Sequence, residues 1–197
     1  MPNPKVKGSI SNGTSQHRDV DDFYETPSGF TRALLKRQSF YKRIWEPAAG
    51  TGAISNVLLA AGYKVLSTDL FPRAEQVSEA DFFNTSYKGY DIITNPPFKL
   101  LIPFVIRGFK LCHQKLALVM PISGLNSSSR YQAIWSKLPV SNIYLSGRYQ
   151  KVMSARGLIS SQFSHIWVVF DRGHEGPPTF EWLPDVIYSG SISQKVT

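Results

Sequence analysis

The stretch Asp91-Ile92-Ile93-Thr94-Asn95-Pro96-Pro97-Phe98 decides the fold. Its β-branched run predicts the end of a buried strand, because two prolines follow that cannot donate to a sheet ladder. This end leaves an amide, Asn95, and an aromatic ring, Phe98, at the carboxyl edge of a sheet, where open α/β sheets bind ligands. The Asn95 side-chain oxygen and the Pro96 carbonyl can accept two hydrogen bonds from one amino group. A nearby ring can stack on a flat heterocycle that carries this group.

Asn95, Pro96, Pro97 and Phe98 resemble the Asn-Pro-Pro-Phe/Tyr motif of S-adenosylmethionine-dependent methyltransferases that modify planar nitrogens. These enzymes act on adenine N6 in DNA and RNA, on guanine N2 in ribosomal RNA, or on glutamine N5 in proteins. The resemblance implies that the four residues are catalytic and that Asn95 also contacts the cofactor. The alternative is a proline-rich turn between a strand and a loop.

A glycine-containing loop follows a short predicted strand at Ile44-Trp45-Glu46. Its small residues let the backbone approach a ligand closely and direct the N–H groups of the next helix at it. The loop lacks the Lys-Ser/Thr ending of a phosphate loop, which disfavours a nucleoside triphosphate. It resembles the cofactor loop of class I methyltransferases. The resemblance implies cofactor contacts from Glu46, Pro47, Ala48, Gly50 and Gly52.

Two further acids follow the loop along the chain. Asp69 ends a predicted strand, and a carboxylate there can accept hydrogen bonds from both hydroxyls of a ribose. A dinucleotide oxidoreductase would use a similar acid, so Asp69 indicates a nucleoside without identifying it. By resemblance, Leu70 adjoins the cofactor, Asp81 accepts from the adenine amino group and Phe82 packs on the adenine ring. The alternative for Asp81 is a helix or turn cap.

The segment Tyr24-Glu25-Thr26-Pro27 leads into a predicted helix, and Thr26 and Pro27 suit a helix start. Similar Tyr-x-Thr-Pro segments precede the first strand in many amino-methyltransferases, where they close over the methionine end of the cofactor. The resemblance implies that Tyr24, Thr26 and Pro27 bind the cofactor in this way. The alternative is a helix cap beside an ordinary aromatic residue.

Alternating strand and helix patterns predict an α/β fold. Strands are predicted at residues 44–46, 64–69, 92–94, 115–121, 141–145 and 162–171. The last two strands have no evident helix between them, which fits a Rossmann-like, seven-stranded methyltransferase sheet. Such a sheet is mostly parallel with a C-terminal antiparallel hairpin, and helices cover both faces. We interpret His165 as a structural or surface residue, and expect the tail after the Gly/Pro-rich segment 173–178 to be irregular.

The composition of the chain indicates its cellular compartment and the class of partner that it binds. The net charge of +8, from 22 Lys and Arg against 14 Asp and Glu, favours a polyanionic partner through counterion release. The alternative is a soluble protein that happens to be basic. No apolar run approaches the ~20 residues that span a bilayer, and the polar start has no signal-peptide core. We therefore expect a cytoplasmic protein of a bacterium or phage-infected host, without membrane association.

The domain organisation expected from the sequence is simple. Residues 1–20 are predicted to form a flexible basic arm, and residues 21–197 a single methyltransferase domain without a separate target-recognition domain. The resemblance covers about residues 22–172 and is closest to small phage and prophage DNA adenine-N6 methyltransferases. Because DNA adenine-N6 methyltransferases in general usually add a distinct recognition domain, either relaxed sequence recognition or a partner subunit is expected here.

The resemblance implies S-adenosyl-L-methionine as the cofactor and DNA, more than RNA, as the partner. The donor sulfur is already positively charged, so no metal is required. Arg148, Lys151 and Arg156 lie between the last two predicted strands and are weaker candidates for contacting the substrate backbone; the alternative is a solvated hairpin connection. An RNA or protein-glutamine methyltransferase, and a catalytically idle nucleic-acid-binding module, also remain open.

Overall fold

The computed structural model describes residues 24–146, 151–154, 157–160 and 165–183 of the chain. Its strands are β1 (Tyr24–Glu25), β2 (Arg43–Glu46), β3 (Lys64–Asp69), β4 (Ser78–Glu79), β5 (Asp91–Thr94), β6 (Lys115–Pro121), β7 (Val140–Ser146), β8 (Lys151–Ser154), β9 (Gly157–Ser160), β10 (His165–Asp171) and β11 (Thr179–Leu183). Its α-helices are α1 (Ser28–Leu35), α2 (Ala53–Ala60), α3 (Leu101–Leu111) and α4 (Ser128–Arg130), the last continuing as a π-helical segment, Tyr131–Trp135. None of the helices in these ranges is long and apolar enough to cross a membrane. The predicted arm, residues 1–20, lies outside the described residues.

Within the described ranges, eight strands form one sheet in the order β11-β7-β10-β6-β5-β2-β3-β4. The strands from β6 to β4 in this order run parallel, whereas β10 is antiparallel to both β6 and β7. The prediction of a Rossmann-like α/β sheet with antiparallel C-terminal strands is confirmed. The expectation of seven strands is wrong by one, because β11 pairs in parallel with β7 where an irregular tail was expected. In β11 the aromatic residues Phe180 and Trp182 occupy alternate positions, a pattern that suits a strand at the edge of a sheet.

The middle of the sheet is buried on both faces. On β5, Ile92 packs with Trp45 in the core under α3, whereas Ile93 packs with Ile44 in the core under α1 and α2. Each of these four side chains is fully buried. Because side chains alternate across a strand, a strand buried on both faces needs apolar residues at consecutive positions. Each buried side chain of this size contributes about 1.5–3 kcal/mol to the hydrophobic stabilisation.

The segment before α1 is held at the carboxyl edge of the sheet. The indole Nε1 of Trp167 on β10 donates to the Phe30 carbonyl of α1 at 3.1 Å, which fixes the helix against the sheet. β1 directly precedes this helix and pairs antiparallel with β8, which in turn pairs with β9. The connection between β7 and β10 therefore contains a β-hairpin, and the hairpin adds a three-stranded sheet beside the main one.

At the opposite edge, the buried carboxylate of Asp91 joins three backbone segments. Its Oδ2 accepts from the Tyr41 N–H at 2.7 Å, and its Oδ1 accepts from the Gln114 and Lys115 N–H groups at 2.9 Å each. Asp91 is only 1% exposed, so its carboxylate is bound by these three N–H groups in place of water. The carboxylate thus connects the start of β5 to the segments that lead into β2 and β6.

We expect the substitution Asp91→Ala to lower the free energy of unfolding by about 3 kcal/mol, because it leaves three partly buried backbone N–H groups without their acceptor. Urea unfolding of the purified chain measures this loss. Asp91→Asn keeps one acceptor oxygen and should cost less. Glu79→Gln, at an exposed position, is the control and should change stability by less than about 0.5 kcal/mol. An Asp91→Ala protein as stable as this control would contradict the assigned role.

Candidate functional site

A cleft of about 260 Å³ opens at the carboxyl edge of the sheet. Its walls come from β1, from the ends of β2, β3 and β5, and from the loops that follow these strands. The predicted site residues on its wall are Tyr24, Thr26, Glu46, Pro47, Ala48, Asp69, Leu70, Asp81, Phe82, Asn95 and Pro97. Those that lie beside the cleft instead are Pro27, Gly50, Gly52, Pro96 and Phe98. The fold thus gathers residues that are up to 73 positions apart, Tyr24 and Pro97, around one concavity.

The glycine loop is folded back against the end of β3. The Gly50 N–H donates to Asp69 Oδ2 at 2.7 Å. Gly50 and Gly52 have φ angles of 53° and 81°, in the left-handed region that residues with a Cβ rarely adopt. Gly52 is also the N-cap residue of α2, directly before the first helical residue, Ala53. The two glycines therefore let the chain turn sharply from β2 into α2 while Thr51 and the alanines before it face the cleft.

Asp69 shapes the loops on either side of the cleft entrance. Besides binding Gly50, it accepts from the Phe71 N–H through Oδ1 at 2.8 Å. Each carboxylate oxygen can accept more than one hydrogen bond, so both retain capacity for a ligand. The predicted role of Asp69 in binding ribose hydroxyls stays a prediction. The structure adds that the same carboxylate organises the backbone around it.

Asp81 and Phe82 each have a structural role as well as a place on the cleft wall. Asp81 accepts from the Phe83 N–H at 2.8 Å and from Asn84 Nδ2 at 2.6 Å, so it caps a turn as the alternative interpretation expected. Phe82 is 4% exposed and stacks on Phe104 with ring centroids 4.0 Å apart. Most of the Phe82 ring therefore belongs to the core, and little of its surface is available to a ligand.

Glu46 is a buried acid at the end of β2. It is 1% exposed, and the Ser55 hydroxyl donates to its Oε2. The Ser55 oxygen also lies 2.6 Å from the Ser67 oxygen, which forms a short polar chain behind the glycine loop. Burial disfavours the carboxylate and raises the pKa of Glu46 from 4.5 to about 8. Glu46 is therefore mostly protonated at neutral pH.

The Asn95 carboxamide has one satisfied side and one unsatisfied side. Its Nδ2 donates to the Tyr24 carbonyl at 2.7 Å, whereas its Oδ1 is buried and has no hydrogen-bond partner among the described residues. A buried acceptor without a partner is costly, by roughly 1–3 kcal/mol. An amino group that enters the site can satisfy this oxygen once the side chains that cover it move aside.

Two aromatic rings of the described residues lie beside Phe98. The Tyr24 ring lies nearly parallel to it, with centroids 6.3 Å apart, and the His165 ring lies at 5.7 Å. His165 is 6% exposed and, with Asn95, lines a second cavity of about 10 Å³. The interpretation of His165 as a structural or surface residue therefore misses its position beside the Asn-Pro-Pro-Phe motif. Its position at the start of an antiparallel strand is the signal, because such a strand begins at the edge where its parallel neighbours end.

Further cleft residues were not singled out from the sequence. Glu25 and Thr51 face the cleft and contact each other, with the Thr51 hydroxyl donating to Glu25 Oε2 at 2.7 Å. Phe71 and Arg73 follow β3 on the same wall. Glu25 occupies the variable position of the Tyr-x-Thr-Pro segment, and pattern alone does not pair it with a threonine 26 residues away. Only the folded chain brings them together.

Of the three residues predicted more weakly to contact the substrate, two lie outside the described residues. Arg148 and Arg156 lie outside the described residues, and Lys151 is the first residue of β8, the strand that pairs with β1 at the cleft. Among the described residues, no three histidine, cysteine, aspartate or glutamate side chains are grouped so that they could hold a metal ion.

No protein-family model matches the chain, and no curated protein matches its sequence. Several solved structures nevertheless resemble it. A protein from Listeria monocytogenes, proposed to be a class I S-adenosylmethionine-dependent methyltransferase, superposes with a TM-score of 0.61 at 14% identity, over 87% of this chain and 69% of that one. A proposed RNA methyltransferase from Pyrococcus horikoshii gives 0.58 at 16% identity, over 77% and 87% of the two chains.

The methyltransferase subunit of a type I restriction-modification system from Streptococcus thermophilus gives a TM-score of 0.57 at 12% identity, over 80% of this chain. The match spans only 47% of that subunit, so this chain corresponds to about half of it. Identities this low show the fold alone. The chain has the fold of the class I S-adenosylmethionine-dependent methyltransferases.

Proposed function

We propose that this chain is an S-adenosylmethionine-dependent methyltransferase that methylates an exocyclic amino nitrogen, adenine N6 in DNA. One observation carries the proposal. Asn95 lines the same cleft as Asp69 and the glycine loop, and its buried oxygen lacks a hydrogen-bond partner in the part of the chain that the structure describes. An acceptor for an amine therefore lies in the same concavity as an acid and a loop that suit a nucleoside.

The donors and acceptors on the cleft wall fit the cofactor. The glycine loop and the N-terminus of α2 would adjoin its methionine part, Asp69 would accept from the ribose hydroxyls, and Asp81 from the adenine amino group. When bound, the cofactor would supply a methyl group on a positively charged sulfur: the carbon–sulfur bond would break, a carbon–nitrogen bond would form, and the amine would release one proton to water. The chain itself has to bind, orient and desolvate the amine.

An aromatic amine is a poor nucleophile because its lone pair is delocalised into the ring. Two acceptors, Asn95 Oδ1 and the Pro96 carbonyl, would bind both amino hydrogens and favour a pyramidal nitrogen with a directed lone pair. Phe98 and Tyr24, whose rings are nearly parallel, would hold the heterocycle flat. Orientation of this kind can supply several kcal/mol of the barrier.

Nucleic acid is the substrate class that the chain supports best. The net charge of +8 favours a polyanion, and the likeness to a restriction-modification methyltransferase subunit is our reason for proposing DNA. If the target is in a duplex, the base must be flipped out at a cost of a few kcal/mol. The likeness to a proposed RNA methyltransferase makes RNA the second candidate.

We expect Asn95→Ala to lower methyl transfer at least about 100-fold, because it removes an acceptor that acts on the reacting nitrogen. Cofactor affinity should stay within about threefold, since the other cleft contacts remain. Transfer of a labelled methyl group and isothermal titration with S-adenosylmethionine measure the two quantities. Asn142→Ala is the matched control, because the Asn142 amide binds Gln38 away from the cleft. Near wild-type transfer by Asn95→Ala would contradict the proposed role of Asn95.

The substrate is identified by offering DNA, RNA and protein fractions with labelled cofactor to the wild-type chain. The proposal expects the label in DNA, as N6-methyladenine on digestion. If the label appeared in RNA or in protein, that fraction and not DNA would contain the substrate, and the proposal of DNA would be wrong. A chain that binds DNA in a salt-sensitive manner but does not bind the cofactor would be an idle binding module, and the proposed activity would be wrong.

The raised pKa of Glu46 predicts a pH-dependent contribution to stability. The folded state binds the Glu46 proton more tightly than the unfolded state, so this stabilisation is complete below about pH 4.5 and is lost as the pH rises through about 8. Glu46→Gln keeps an acceptor oxygen for Ser55 but does not titrate. We expect the stability of the wild type relative to Glu46→Gln to fall by on the order of 2 kcal/mol between about pH 6 and 8, measured by urea unfolding without cofactor. Parallel stability curves would show that Glu46 titrates normally.

A further inference from the structure

The Asn95 carboxamide has to present its oxygen, not its nitrogen, to the target amine. Its Nδ2 donates to the Tyr24 carbonyl at 2.7 Å. A carbonyl only accepts hydrogen bonds, so a rotation of the carboxamide by half a turn would place two acceptors against each other. The Tyr24 carbonyl therefore determines which side of the carboxamide carries the available oxygen.

The peptide group that carries this carbonyl is itself anchored. The Tyr24 carbonyl and the Glu25 N–H belong to one planar unit, so an anchor on Glu25 restrains the direction of the carbonyl. The Glu25 carboxylate accepts from the Thr51 hydroxyl at 2.7 Å, and the pair is partly buried. Thr51 lies in the glycine loop, between residues whose left-handed backbone fixes the turn. The bond thus ties β1 to the loop proposed to adjoin the cofactor.

We propose that Glu25 and Thr51 are positioning residues for Asn95, acting through the Tyr24 carbonyl. The two contacts of β1 lie at adjacent residues, one to the glycine loop and one to the end of β5. The hydrogen bond between Thr51 and Glu25 keeps the Asn95 oxygen directed at the reacting nitrogen when the side chains above it move aside. The role in transfer rests on the proposed function, whereas the orientation of the carboxamide does not.

The pair of variants that tests this is Thr51→Val and Thr51→Ser. Valine has nearly the shape of threonine but no hydroxyl, and serine keeps the hydroxyl that donates to Glu25. Thr51→Val should lower kcat at least about tenfold at saturating cofactor and DNA, because a misplaced acceptor loses its effect on the transition state. Cofactor affinity should change by less than about threefold. Thr51→Ser should retain most of the activity.

Thr31→Val is the control for a buried threonine elsewhere, since Thr31 is fully buried on α1 and outside the cleft wall. It should leave kcat unchanged. Glu25→Leu should lower kcat like Thr51→Val, and the double variant should be no worse than either single one, as expected for residues that act through one bond. Multiplicative losses, an unchanged or higher kcat for Thr51→Val, or a loss confined to cofactor affinity would overturn the proposal.

A second measurement needs no substrate. In the ¹⁵N-labelled chain, the side-chain amide signals of Asn95, assigned by their absence in Asn95→Ala, report the bond to the Tyr24 carbonyl. They should shift in Thr51→Val and stay in place in Thr51→Ser and Thr31→Val. Unchanged signals in Thr51→Val would overturn the positioning role even if the wild type is active. If the wild type transfers no methyl group, the proposed function fails, and these signals alone decide the orientation.

Discussion

The structure depends on where β5 stops. Ile92 and Ile93 are buried on opposite faces of the sheet, so the strand is held at its centre by both cores. Pro96 and Pro97 cannot donate to a neighbouring strand, which ends the ladder at the carboxyl edge. Asn95 is thereby left between a rigid strand and a rigid turn. The backbone at this position has little freedom, so the Asn95 carboxamide is placed precisely. A reacting amine requires an acceptor that is placed in this way.

The acids around the cleft serve both structure and chemistry. Asp69 and Asp81 each accept from a backbone N–H two residues further along, and Asp69 also binds the glycine loop. These bonds preorganise the loops, so that a ligand meets a wall that is already formed. Glu46 differs, because its burial behind the loop keeps it mostly protonated. Three acids that follow parallel strands thus have three environments, although the sequence presents them as one series.

The first described strand, β1, has only two residues but joins several parts of the site. It pairs with β8, its Glu25 carboxylate binds the glycine loop, and its Tyr24 carbonyl binds the catalytic candidate Asn95. α1, fixed by Trp167, holds the segment at the edge of the sheet. Because all of these bonds converge on two residues, a small displacement of β1 would be felt at both the cofactor loop and the amide.

The sequence by itself determined the class of fold, since apolar strands followed by glycine, acid and proline signals reflect local backbone chemistry. It also indicated Asn95, Asp69 and Asp81 as residues of one edge, which the cleft brings together. It did not indicate β11, the nearness of His165 to Phe98 or the bond between Glu25 and Thr51. The contact of His165 with Phe98 and the bond between Glu25 and Thr51 each join distant parts of the chain through one ring face or one polar group, which leaves no period in the sequence. The place of β11 beside β7 depends on a backbone ladder between two separate segments, because backbone groups carry no side-chain signal of their partner. Only the folded chain decided all three.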